Sequence, residues 1–389
     1  MRPFVRRNLL SVGSLAERLF AAYKNRVYAA NGIVESDTCA KNAMNAIDVQ
    51  GLLSSATMYL SPSGYKSGIV YSELPSNGNG DLTFTRASIA TRVNSSGSIE
   101  SLSSGVPAID YSLGGCPCFL VEPQRTNSYI YSEAPNNATG WSKTAITFPS
   151  NNTILTPFNT NVDNLLLTTG VDGSSTRHRL TLNVALSIVN GDNYVMSVFA
   201  KKASHDWIQL CPVSSDYNVN DWANFNLNTG AIGTVGTGAT ATISNMGGGW
   251  YRCTLLCRVI STNASSFIDS VITTNNTDSG RYPSYQSTQT TNCFYVTGFQ
   301  FEKGAFPTSY MPTTGATATR VMANFTRGSI YANGLISSSG GTWFIELKNN
   351  LSLTRDTGGD GIYILSADSS NGISINTLSS RFRILKYIN

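Results

Sequence analysis

Charge is scarce in this 389-residue chain: only 13% of its residues are Asp, Glu, Lys or Arg. Twenty-seven cations against 23 anions leave a formal net charge of +4, too small at this length to mark a nucleic-acid-binding surface. No apolar run approaches the roughly 18 residues of a membrane-spanning helix, so no membrane span is expected. Arg2, Arg6 and Arg7 open the chain without the apolar core and small-residue cleavage site of an export signal, so none is expected. The seven cysteines (39, 116, 118, 211, 253, 257 and 293) form no CxxC pair, which makes buried thiols the default over a zinc site or a disulfide framework. No serine sits in a GxSxG elbow, and Asn245-Met246-Gly247-Gly248-Gly249-Trp250 lacks the Lys-Ser/Thr of a phosphate loop.

Gly, Ser, Thr and Asn are plentiful, and Tyr and Phe together number 34. That mixture is expected of an all-β protein with many turns and hydroxyl-rich strand faces, and the length calls for two or three packed units. The N-terminus differs. Ser14 and Glu17 have capping-box spacing, and Leu15, Leu19, Tyr23 and Val27 recur every fourth residue with Phe20 beside them. Asn31-Gly32 supplies a stop. The pattern predicts a helix with a basic arm that includes Arg6 and Arg7. Either the stripe packs on its own chain, or it is an attachment surface for another subunit or an acidic host surface. A second helical stretch runs from about Asp37 to Leu53.

From residue 56 the period falls to two, with turns at Pro62-Ser63-Gly64, Asn94 to Gly97 and Gly105-Val106-Pro107. Short alternating strands follow, among them NYVMSVFAKKA, DWIQLCPVS, WANFNLNTG, GWYRCTLLCRVIS and NCFYVTGFQFEKG. Their length and spacing predict an antiparallel sandwich or jelly roll. After Gly340 only about 50 residues remain, short of the roughly 100 of a complete sandwich. The expected fold is therefore mainly β: an N-terminal helical segment (1–55), a β-rich connecting region (56–125), a jelly roll (126–315) and a partial lectin-like sandwich (316–389).

Gly80-Asp81-Leu82-Thr83-Phe84-Thr85-Arg86-Ala87-Ser88, then ATRVNSSGSIE, GVPAIDY and FLVEPQRTN, resemble a cassette of tailed-bacteriophage structural proteins, especially fibre and appendage proteins of Bacteroides-type phages. YSEAPNNATGWSK, MSVFAKKA, GWYRC and GFQFEKGAFPTSYMPTTGATATR are similar to the carbohydrate-binding-module-like jelly roll of those proteins, and GTWFIELKNN resembles the opening strand of a concanavalin-like sandwich. The resemblance covers roughly residues 30 to 350. It implies a virion protein assembled in the host cytoplasm, a head or tail fibre or capsid decoration. It also implies homo-oligomers, most often trimers, attachment to other virion proteins through the N-terminus, and host surface polysaccharide as a ligand. Neither a cofactor nor a metal is implied. The remainder after Gly340 is shorter than the resemblance would have it.

Chemistry is harder to find. His205-Asp206 reads as an exposed turn between strands, and among Glu73, Glu100, Glu122 and Glu302 no glutamate has a second carboxylate within a few residues, as a glycosidase pair would need unless the fold supplied it. Asp356 and Asp360 lie in a Gly-rich stretch without the acid spacing of a calcium loop, which reads as a polar hairpin. The expectation is a non-enzyme. Sugar binding needs exposed aromatic faces flanked by hydrogen-bonding side chains. Trp250 and Trp343 start alternating strands and read as core, whereas Trp207 and Trp222 stand in polar surroundings, with Asp221, Tyr217, Tyr282 and Tyr285 nearby. These six are the candidate glycan site. Rival readings are an adhesin whose main role is glycan recognition, and a polysaccharide depolymerase.

Residues 298–320 pose the sharpest local question. Phe299 and Phe301 alternate with Gln300 and Glu302 as in a closing strand, and Pro307 and Pro312 then take the chain out of any ladder. The stretch reads as a strap, held by Phe306, Tyr310 and Met311, that seals one domain and starts the next. Phe325-Thr326-Arg327-Gly328-Ser329-Ile330 beyond it echoes Phe84-Thr85-Arg86-Ala87-Ser88-Ile89.

Overall fold

The computed structural model describes residues 15–34, 37–49, 51–114, 116–148, 154–160, 177–182, 185–212, 215–266, 269–273, 278–284, 293–330 and 332–335, with the backbone of three further strands near the C-terminus. The chain is mainly β and divides into two units. Unit 1 gathers residues 1–96, 101–121 and 322–348; unit 2 gathers 97–100, 122–321 and 349–389.

Unit 1 opens with α1 (Leu15–Ala29) and α2 (Asp37–Val49). The capping-box serine lies outside the described residues. The first-turn amide of Ala16 instead donates to Asp48 Oδ2 of α2 at 3.1 Å, and Asn31, at φ 52°, takes the left-handed position that ends α1. Ala16, Phe20, Tyr23 and Val27 are buried against Ala40 and Met44 of α2 and against Leu53 and Tyr71. The stripe of α1 is thus spent on its own chain. Beyond the helices runs a five-stranded antiparallel sheet in the order Ile33–Val34, Gly64–Lys66, Ile69–Val70, Leu82–Thr85, Asn324–Thr326.

The last of those strands explains the echo. Phe325 pairs with Phe84, Asn324 with Thr85 and Thr326 with Thr83, so the two similar texts are partners in one ladder. The Phe325 ring lies 4.9 Å from both Phe84 and Phe119. The segment after the strap therefore belongs to unit 1, where the sequence pattern would start a new domain at 316. Cys39 and Cys116 form a disulfide within the same unit, closing a loop of 77 residues, contrary to the expectation of thiols. Sequence spacing carried no signal of this pairing, because the two cysteines meet only once α2 has packed. The other five cysteines remain thiols, four of them buried.

Unit 2 is a two-sheet antiparallel sandwich. One sheet has six strands, in the order Trp141–Thr144, Arg179–Leu182, Asp269–Thr273, Trp207–Leu210, Ala223–Asn226, Ala231–Val235. The other has four: Ala241–Asn245, Trp250–Arg258, Asn193–Lys202, Phe294–Lys303. Alternate residues of both sheets, including Ile208, Leu210, Phe225, Met196, Val198 and Leu255, fill the core between them. The Phe294–Lys303 strand changes phase on the way. Phe294 and Val296 face the core, then Phe299 and Phe301 do, because the register shifts at Gly298. Gly298 has φ 61°, and a Cβ there would lie 2.6 Å from Phe199 and 2.7 Å from Phe158, so only glycine serves.

Gly361–Ser366, Gly372–Leu378 and Arg381–Tyr387 form a three-stranded antiparallel meander. Trp343 and the GTWFIELKNN strand lie outside the described residues, as do Asp356 and Asp360.

Candidate functional site

The outer faces of the two sheets of unit 2 carry polar and aromatic side chains of the kind that the sequence proposes for a site. Residues that alternate with the core set must point away from it.

On the four-stranded sheet that outer face is closed. The strap after Gly304 lies over it, tied down by the side chains that face outward. Glu302 accepts from the Thr308 amide at 2.8 Å, from Thr308 Oγ1 at 2.5 Å and from Gln300 Nε2 at 2.8 Å. Met311 N donates to Gln300 Oε1 at 2.7 Å, and Arg252 Nη1 donates to Thr308 O at 2.8 Å. Glu122 accepts from Ser309 N and Oγ at 2.7 and 2.6 Å and pairs with Arg320 at 3.1 Å. Tyr310 stacks on Phe158 at 4.7 Å between centroids, Met311 is buried, and Arg125 covers Phe306 at 5.4 Å. The fold does bring two carboxylates, Glu122 and Glu302, to one cluster. Both are occupied by backbone amides and hydroxyls of the strap, which is a structural use.

On the six-stranded sheet the outer face is dressed but not sealed. Trp207 stands opposite Asn226 and Gln209 opposite Asn224, all on the face away from Ile208 and Phe225. Gln209 Nε2 donates to Asn224 Oδ1 at 2.8 Å and to Gly280 O at 3.0 Å, while Gln209 Oε1 accepts from Tyr282 N at 2.7 Å. Asn224 Nδ2 donates to Asp278 Oδ1 at 2.8 Å, and Thr234 N donates to the same oxygen at 2.7 Å. Burial opposes the charge on Asp278, but the donors from Asn224 and Thr234 outweigh it and hold the carboxyl below its ordinary value. The half-buried Trp207 ring reaches across the Ala223–Asn226 strand to Gly233 of the edge strand, where a Cβ would collide with the indole and stand 2.7 Å from Asp278 Oδ1. An aromatic platform and a carboxylate thus converge on one glycine, beside an amide ladder.

Of the six residues the sequence proposes, the structure leaves Trp207 on this face. Tyr282 lies next to it in the chain segment that covers the ladder, but its ring is buried with Trp222 and Cys211. Its hydroxyl accepts from Arg179 Nη1 at 2.7 Å, and the Arg177 guanidinium covers the ring at 4.3 Å. Trp222 is 8% exposed. Tyr217 belongs to the sandwich core, its hydroxyl pushed well above the ordinary value by burial, and it offers no ring face to a sugar. Asp221 is fully enclosed in an ion pair with Arg258, whose Nε lies at 2.9 Å. Polar neighbours in sequence do not imply exposure here: the connection between the Trp207–Leu210 and Ala223–Asn226 strands turns these three inward. Tyr285 lies outside the described residues. Gln209, Asn224 and Asp278 were missed. The first two are legible as the polar positions of WIQL and ANFN, whereas Asp278 reaches the sheet only through a returning segment.

The attachment helix also changes character. Tyr23 and Val27 are fully buried, Phe20 nearly so, and Leu15 and Leu19 are half-buried, because α2 and the adjoining strands cover the stripe. Arg6 and Arg7 lie outside the described residues. A groove of about 640 Å³ remains between α1 and α2, lined by Phe20, Lys24, Tyr28 and Lys41 among others. His205 is not an exposed turn: its amide donates to Cys293 O at 2.8 Å, and the side chain is 2% exposed. His178 is buried too. Among the described residues no cluster of three or more His, Cys, Asp or Glu could hold a metal ion, and no helix is long and apolar enough to cross a membrane.

No protein-family model matches the chain, and no curated protein is significantly similar to it.

Proposed function

We propose that the chain is a non-enzymatic structural subunit of a tailed-phage particle, a head or tail fibre or decoration. In this reading unit 1 is the mount and unit 2 the displayed module. The observation that carries it is the pairing of the echoed strands, Phe84 against Phe325. The chain leaves unit 1 at residue 121 and re-enters it at 322, so the sandwich is tethered at both ends, as suits a part that bears load. The two carboxylates gathered at the strap, Glu122 and Glu302, are committed to holding it. The groove between α1 and α2 is the face offered to another virion protein. Gold-labelled antibody against the sandwich should decorate intact particles at the capsid or the tail; particles left bare overturn the reading. Mass photometry should give a homo-oligomer, a trimer by resemblance, and a monomer at micromolar concentration removes that part.

The second reading, a glycan-binding adhesin, is favoured by the half-buried Trp207 ring beside the exposed Asp278 carboxylate, with Asn224 and Gln209, both fully buried, holding the covering segment from beneath. Host surface polysaccharide is its ligand class, with the indole stacking on a pyranose and the Asp278 carboxylate taking hydroxyls. A glycan array on the full chain tests it. A depolymerase would release reducing ends from the same polysaccharide.

A further inference from the structure

Glu73 of unit 1 is fully buried, and among the described residues it lacks the ion pair that holds the buried Asp221. Its carboxyl meets three donors: Ser61 N at 2.9 Å, Ser61 Oγ, and Ser63 Oγ at 3.1 Å. None carries a charge. Arg26, the α1 cation that reaches the neighbouring residues Tyr71 and Ser72, is engaged elsewhere. Its Nη1 holds both oxygens of Asp81 at 2.9 and 2.7 Å, its Nη2 donates to Ser72 O, and its guanidinium covers Tyr71 at 5.3 Å. The segment facing Glu73 from residues 59–61 contributes Tyr59, whose carbonyl accepts from the Glu73 amide at 3.0 Å. From α1 comes Tyr23, whose hydroxyl lies 2.6 Å from Ser63 Oγ, with either atom able to donate.

Tyr23, Ser63 and Glu73 therefore form a chain of hydroxyls with two proton arrangements. When Glu73 is ionised, both hydroxyls point toward the carboxylate. When it is neutral, the carboxyl carries its own proton and the chain can reverse. Only the neutral form avoids leaving an uncompensated anion in the unit's interior.

We propose that the Tyr23–Ser63–Glu73 chain is a proton-operated latch, holding α1 tightly to the sheet of unit 1 while Glu73 is neutral and loosening it once the proton leaves. Burial pushes the carboxyl from its ordinary 4.5 up to about 7, against the pull of the Ser61 and Ser63 donors. A folded-state value above the unfolded one means that the stabilisation is complete below about 4.5 and is lost as pH climbs through about 7. Acid tightens the latch and alkali slackens it.

Hydrogen exchange of the α1 amides in the full chain, corrected for intrinsic rates, reads the latch directly. Protection should fall roughly thirtyfold between about pH 5.5 and about pH 8.5 in the wild type. In Glu73→Gln, which keeps the shape and never ionises, it should stay at the acid level throughout. A wild type with flat protection, or a variant with the same slope, overturns the proposal. Should Glu73→Gln fail to fold, carboxyl-carbon NMR of the glutamate-labelled wild type decides instead. One glutamate signal should titrate near neutral pH, and it should persist in Glu133→Gln, since burial raises the Glu133 carboxyl as well. No such signal overturns the latch.

Discussion

Glu73 in unit 1 and Glu302 in unit 2 are both 0% exposed, and each gathers an irregular stretch of chain around its carboxyl. Glu302 does so inside a charged cluster. The Arg252 guanidinium donates to the strap Glu302 holds; burial lowers the pKa of that guanidinium, and the charges of Glu302 and Glu122 oppose the effect. Glu73 has hydroxyls and one amide, and no cation. A buried acid with a countercharge can serve as a permanent seam, because the pair's mutual attraction offsets desolvation. One without a countercharge is held by its proton. The same residue type therefore builds a fixed closure in one unit and a conditional one in the other.

Removing the acid from the seam should give the largest effect. Glu302→Ala leaves the Thr308 amide and hydroxyl without their acceptor and takes from buried Arg252 one of the two carboxylate charges that offset its burial, a loss of about 3–5 kcal/mol in the unfolding of unit 2. Denaturant unfolding measures it, and proteolytic nicking between 304 and 313 should report the strap coming away. Glu302→Gln should also destabilise, since it removes the charge facing Arg252. If Glu302→Gln proved as harmless as Glu73→Gln is expected to be at alkaline pH, the contrast between the two acids would be gone.

Next in size is the disulfide. Cys39→Ser opens a 77-residue loop and should cost unit 1 about 2–4 kcal/mol, read as a lower unfolding midpoint that reductant reproduces in the wild type. Smaller again is the pH response. Between about pH 5.5 and about pH 8.5 the unit 1 transition should weaken by about 2 kcal/mol, the free-energy equivalent of the thirtyfold change in protection, and Glu73→Gln should abolish that drift. Unit 2 has its own raised acid, Glu133, so any drift of its transition should be untouched by Glu73→Gln. A unit 1 drift that survives Glu73→Gln would place the titrating group somewhere other than Glu73.

Much of this architecture is legible in the sequence because strand alternation is local. NYVMSVFAKKA, GWYRCTLLCRVIS and the strap with its two prolines declare themselves within a dozen residues. The echo of Phe84 in Phe325 was visible, although its meaning as a ladder pair needed the fold. What stayed hidden depends on contacts between distant segments. Gly298 shifts phase because Phe199 and Phe158 fill the space beside it, and Cys39 meets Cys116 only after α2 packs. The stripe of α1 read equally well as core or as docking face until the sheet that covers it was placed. For the candidate site the error had one cause: polar neighbours in sequence were taken for exposure. Tyr217, Asp221 and Trp222 have such neighbours and still turn inward.

Trp207 carries the smallest expected effect on stability and the clearest one on function. Its ring is half-buried over Gly233, so Trp207→Ala removes partial packing and should cost unit 2 only about 1 kcal/mol. Asp278→Asn removes a charge from the same edge while preserving an acceptor for Asn224 and Thr234. If this face contacts glycans, Trp207→Ala should abolish array binding, and Asp278→Asn should weaken it with only a slight fall in melting temperature. Trp222→Ala should behave in the opposite sense, damaging the fold around Tyr282 and Cys211 more than it alters any ligand. Binding that survives Trp207→Ala but fails in Trp222→Ala would move the site off the sheet face. An array silent for the wild type would leave the six-stranded face, like the four-stranded one, a surface with a structural use.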